Sequence, residues 1–147
     1  IISEESLEKL LNTDKNEVFE SIRDAALLGK KEKLNYLLKD FTFASEDTYL
    51  YLNMINSRLI KLLDIHNINK DYNNLEVSIN KSKPPIFWKD KNIILELLKK
   101  WDKKRVIKAI AYLGKIERTI KNSNTINSLT IVKNSITNIC SNSWIYF

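Results

Sequence analysis

Residues 45–65 read SEDTYLYLNMINSRLIKLLDI, and this stretch decides the fold class. Leu52, Ile55, Leu59, Leu62 and Leu63 follow one another at steps of three or four, mostly, while Arg58, Lys61 and Asp64 fall away from that stripe. A 3.6-residue period predicts a helix with one apolar face, opened by Ser45-Glu46-Asp47, whose carboxylates complement the N-terminal dipole. The rest of the chain agrees. Only two glycines and two prolines occur in 147 residues, too few for a sandwich or barrel, which needs turn residues roughly every 8–12 positions. Gly29 and Gly114 are far apart, so no phosphate-cradling glycine loop exists. The expectation is an all-α bundle of about seven helices.

Working outward, Ser3 caps a short helix through Leu7, Leu10 and Leu11, and Thr13-Asp14-Lys15-Asn16 reads as a break. Asn16 then caps a helix through Val18, Phe19, Ile22, Ala25 and Ala26, stopped by Gly29 at a left-handed position. A helix over 31–43 carries Leu34, Leu37, Leu38 and Phe41, and pairs with its predecessor as an antiparallel hairpin. The segment 67–83 reads as a loop around one weak helix, ended by Pro84 and Pro85. Three more helices follow: one through Ile94, Leu97, Leu98 and Trp101, one capped by Asp102, and a last one through Leu129, Val132, Ile136 and Ile139. Asn122-Ser123-Asn124 separates the last two, and Trp144-Ile145-Tyr146-Phe147 is apolar enough to fold back.

Charge and rare residues narrow the function. One cysteine, Cys140, excludes a disulfide framework, and one histidine, His66, excludes a His-rich metal cluster. His66 reads as a helix-end residue and Cys140 as a packing residue. No Walker, G-x-S-x-G or H-E-x-x-H motif is present, so no chemistry, metal or cofactor is assigned to this segment. No apolar run is long enough to span a membrane, and Ile1-Ile2-Ser3 reads as a cut within a longer chain rather than a signal peptide.

The net charge is +6, yet Ile, Lys and Asn make up 57 of the 147 residues, the mark of an A/T-rich genome that inflates lysine. The distribution says more than the total. Residues 1–80 hold 10 basic and 14 acidic side chains, whereas 81–121 hold 13 and 4. Lys99, Lys100, Lys103, Lys104, Arg105 and Lys108 form a candidate phosphate-contacting patch, with Trp88 and Trp101 interleaved. The plain reading of the same residues is a solvated lysine face. Phe87 and Trp101 are 14 residues apart, close to four helical turns, so both are assigned inward. Trp88, beside Lys89 and Lys91, is then the candidate partner anchor.

Ile22-Arg23-Asp24-Ala25-Ala26-Leu27-Leu28-Gly29, then Pro84-Pro85-Ile86-Phe87-Trp88-Lys89-Asp90-Lys91, then Leu97 to Trp101, Ala109 to Leu113, Glu117 and Lys121 occur in an order of their own. That order resembles the C-terminal part of the delta subunit of the bacterial DNA polymerase III clamp loader, of the alphaproteobacterial type. The resemblance implies that residues 1–14 end a preceding lid domain or linker helix and that 15–147 are a helical collar. It implies a cytoplasmic protein of chromosomal replication whose collar joins neighbouring clamp-loader subunits into a ring. The sliding clamp would be met only through an N-terminal region outside this chain. This segment would be non-catalytic, and its parent would be a subunit of a nucleotidyltransferase holoenzyme, the DNA-directed DNA polymerase. The alternative is a helical nucleic-acid-binding domain using residues 81–121.

Overall fold

In the computed structural model, residues 3–122 and 127–146 are described. They form α1 (Glu4–Leu28), α2 (Lys31–Asp40), α3 (Thr48–Tyr72), α4 (Leu75–Lys81), α5 (Lys91–Lys100), α6 (Lys103–Asn122) and α7 (Ser128–Ser141). Short 3-10 turns lie at Ser45–Asp47, Trp88–Asp90 and Ser143–Tyr146, and no strand occurs among the described residues. The all-α class and the helix number are as the sequence predicts. Of the expected turn at 122–124, Ser123 and Asn124 lie outside the described residues, as does Phe147.

Local chemistry sets the helix ends. The Ser3 hydroxyl accepts the Ser6 amide at 3.2 Å, and Asn74 and Asn127 cap α4 and α7 in the same way. Asp102 caps α6 by accepting the Arg105 amide at 2.7 Å. Gly29 (φ 72°) closes α1, its own amide and that of Lys30 returning to Ala26 and Ala25.

Three predicted helix boundaries are wrong. α1 runs unbroken through Thr13–Asn16. The Asn, Thr and Asp residues there each cost only about 0.6 kcal/mol relative to alanine. Breaking the helix would instead leave two new ends of unsatisfied backbone groups, and no glycine or proline forces it. α3 likewise continues seven residues past Ile65, until Asn73 adopts a left-handed conformation (φ 48°) and donates back to Asn69. The weak helix of 67–83 is present as α4, joined to α3 where the buried Ser78 hydroxyl meets Asn69 Oδ1 at 3.0 Å.

α3 is the central element and packs against α1, α4, α5, α6 and α7. Its Ile55, Leu59, Leu62 and Ile65 are buried in the same core as Phe19, Ile22, Ile94, Leu97 and Ile136. α2 ends at Asp40, short of the expected 43, because Phe41 and Phe43 leave the helix to gather around Phe19 and Tyr51, with centroids 4.7–6.4 Å apart. Trp144 folds back, 3% exposed, whereas its neighbour Ile145 stays outside. The first turns of α1 project beyond the core: among the side chains described, the first buried one is Phe19, and Leu7, Leu10 and Val18 are exposed. No helix among the described residues is long and apolar enough to cross a membrane.

The two glycines should respond oppositely to alanine. At Gly29 the left-handed backbone makes Gly29→Ala cost about 1–2 kcal/mol. Gly114 sits inside α6 with a negative φ, and an added methyl would meet only the flexible end of Arg118 at 3.5 Å. Gly114→Ala should therefore stabilise by about 0.5–1 kcal/mol. Thermal melting of both variants checks this, and shifts of the same sign would refute it.

Candidate functional site

The two prolines deliver the chain to an elbow that exposes two adjacent aromatic side chains. Ile86 turns inward and packs on the core, and Phe87 and Trp88 point out, 58% and 69% exposed. Their rings lie 5.9 Å apart, and the Lys89 ammonium stands 5.5 Å from the Trp88 ring centroid. The inward assignment of Phe87 is thus overturned. It presumed one helix from 87 to 101, but α5 begins only at Lys91, after a 3-10 turn that resets the phase. Trp88 is outward, as expected.

Buried charge holds the elbow in place. The Asp24 carboxylate, on α1, is gripped by two guanidiniums: Arg23 at 3.0 and 3.3 Å, and Arg58 of α3 at 3.3 and 3.4 Å. Arg58 also reaches Asp90 of the elbow turn at 3.9 Å. Arg23 and Asp24 are each 8% exposed, so these charges are largely removed from water. Burial, and the neighbouring Arg23 charge, lower the Arg58 pKa from its ordinary value, while Asp24 and Asp90 oppose the shift. Lys61 donates to the Pro84 carbonyl at 2.8 Å, and Lys91 to Asn80 Oδ1 at 2.8 Å. Arg23, Arg58, Lys61, Pro84, Phe87 and Asp90 line a groove of about 330 Å³. The sequence reading left Arg58 and Lys61 on a solvated face. What could have revealed them is that arginine is scarce here, four against twenty lysines, and two of the four meet at one carboxylate.

The predicted basic patch divides into two roles. Lys99, Lys104 and Lys108 are exposed. Lys100 donates to the Leu28 carbonyl at the end of α1, which suits a cation at a helix C-terminus. Arg105 lies flat on Trp101, 4.1 Å from its centroid, and donates to the Lys100 carbonyl and to Asn142. Lys103 is held below the ordinary lysine pKa by its side-chain contact with Lys70, by desolvation, and by repulsion between the two ammoniums. Lys100 and Arg105 are therefore structural cations.

Trp101 is fully buried and its indole donates to the Leu27 carbonyl at 2.8 Å. The Trp101 carbonyl accepts from His66 Nε2 at 2.6 Å, so that nitrogen carries the proton; because α3 runs on to Tyr72, His66 lies within the helix and not at the helix end that the sequence predicts for it. Cys140 is buried, and burial raises its thiol pKa against the pull of Lys31 and Lys100, the state of a packing residue. Among the described residues no three His, Cys, Asp or Glu side chains stand close enough to hold a metal ion. The arrangement presents an aromatic surface flanked by cations, fit for binding.

No family profile matches the chain, and neither the curated proteins nor the solved structures searched contain a match.

Trp101→Ala should cost about 3–5 kcal/mol, and Trp88→Ala less than about 1 kcal/mol. Asp24→Ala, which strands two buried guanidiniums, should cost about 3–5 kcal/mol. Urea unfolding of the three variants checks both statements. An unaltered midpoint for Asp24→Ala would show that the arginines find water instead.

Proposed function

We propose that this chain is an assembly module of a clamp loader, a collar-like helical bundle that binds neighbouring subunits and carries no chemistry of its own. The observation that carries this reading is the elbow: two exposed aromatic side chains on a turn pinned by a buried ion network. Rigid, exposed aromatics lose little entropy on binding and make effective anchors. The order of sequence motifs shared with the delta subunit supplies the partner class, and the elbow falls inside the most distinctive of those motifs, Pro84 to Lys91. Lys89 and Lys91 sit at its rim, where charge directs approach more than it adds affinity.

The exposed rings beside Lys83 and Lys89 also support a second reading, in which the elbow stacks on single-stranded nucleic acid while lysines meet phosphates. The two readings separate in one set of binding measurements.

Titrating the chain with the ATPase subunits of a bacterial clamp loader should give a complex that Trp88→Ala weakens by about 30-fold, as loss of a hot spot does. Lys99→Ala should leave it unchanged. Absence of a complex, together with oligonucleotide binding that falls steeply with salt, would replace the assembly reading with the nucleic-acid one.

A further inference from the structure

From Lys103 to the end, the chain carries eight basic residues and a single acidic one, Glu117. Glu117 is occupied by Lys121 at 3.2 Å. Lys104, Lys108, Ala111, Lys115 and Arg118 recur at steps of 4, 3, 4 and 3, which places them on one face of α6. The four cations span about 21 Å of helix axis. All four are exposed, and among the described residues none forms an ion pair.

Beside this stripe lies a groove of about 510 Å³, bounded by Lys108, Ala111, Lys115, Arg118, Trp144 and Ile145. Ala111 and Ile145, the latter 55% exposed, give the groove an apolar part among its cations. Trp144, 3% exposed, forms part of the wall, and its indole N–H has no hydrogen-bond acceptor among the described residues. Four unpaired cations along one face of α6 favour an occupant of negative charge.

We propose that this groove docks an acidic amphipathic helix from a protein partner. Carboxylates at three- and four-residue spacing pair with Lys104, Lys108, Lys115 and Arg118, and an aliphatic side chain from the same face seats against Ala111 and Ile145. Charge complementarity selects an anionic occupant, and the apolar part selects a peptide over nucleic acid. Base stacking needs an open ring face, but the groove's aromatic side chains are buried, at 3% for Trp144 and 6% for Tyr112. The surface shares no residue with the elbow, so the proposal stands or falls independently of the clamp-loader reading.

The test uses the full chain and a fluorescent synthetic peptide of residues 3–20, an acidic amphipathic segment with six acidic and two basic residues. A second peptide replaces every Glu and Asp by Gln and Asn, and oligothymidylate is the rival probe. The acidic peptide should bind, and the amide peptide should not. The double variant Lys108→Glu/Arg118→Glu should weaken binding by about tenfold or more, with its circular dichroism unchanged. Lys115→Glu serves in its place should the double variant misfold, and Ile145→Ala should weaken binding several-fold. Equal binding of both peptides, indifference to the charge reversals, or binding of oligothymidylate alone would each overturn the proposal.

Discussion

One side chain joins the bundle's otherwise separate packing layers. Trp101 ends α5, gives its indole N–H to the last turn of α1, offers its carbonyl to His66 of α3, and lies between Arg105 of α6 and Trp144 of the C-terminal turn. The two indole rings stack at 13° with centroids 5.8 Å apart. A helix end buried in a core leaves carbonyls that need partners, and Trp101 supplies one for α1 where water cannot reach. Lys100, the preceding residue, supplies another at Leu28. The α5–α6 corner thus closes the end of α1, and the left-handed turn at Gly29 lets the chain leave that crowded place for α2.

That joint frees the elbow. With Trp101 buried and Ile86 turned inward, Phe87 and Trp88 contribute little to the core. The turn that carries them is tied to Asp24 and Arg23 through Arg58, which reaches Asp90 at 3.9 Å, an arrangement that costs desolvation and stabilises only while its members stay paired. Buried ion pairs are a poor way to gain stability, but they define a unique geometry, which a presented binding surface requires. The charge of the molecule is divided as well, between an acidic, projecting α1 early in the sequence and a cationic α6 late in it.

The fold class was legible because an all-α chain with two glycines has few alternatives, and because the Leu52–Leu62 stripe belongs to the helix at the centre. Caps at Ser3, Asn74, Asp102 and Asn127 are local interactions, though only those at Ser3 and Asp102 were read correctly in advance. The misread features were non-local. Phe87 was placed by counting turns along a helix that starts four residues later. Arg58 was assigned to water because its carboxylate partner lies 34 positions earlier in the chain. Thr13–Asn16 has the composition of a loop, yet it is carried as helix by the capped turn before it and the packed turns after it. Lys115 and Arg118 emerged only once α6 placed them over a groove made by residues 144 and 145.

The central claim is that the fold commits Trp101 and Trp144 to the interior and leaves Trp88 open to a partner. Iodide quenching of tryptophan fluorescence in the folded chain measures that division directly. The account predicts an accessible emitting fraction that disappears in Trp88→Phe, leaving emission from the two buried indoles that iodide does not reach. An accessible fraction that persists undiminished in Trp88→Phe would contradict it.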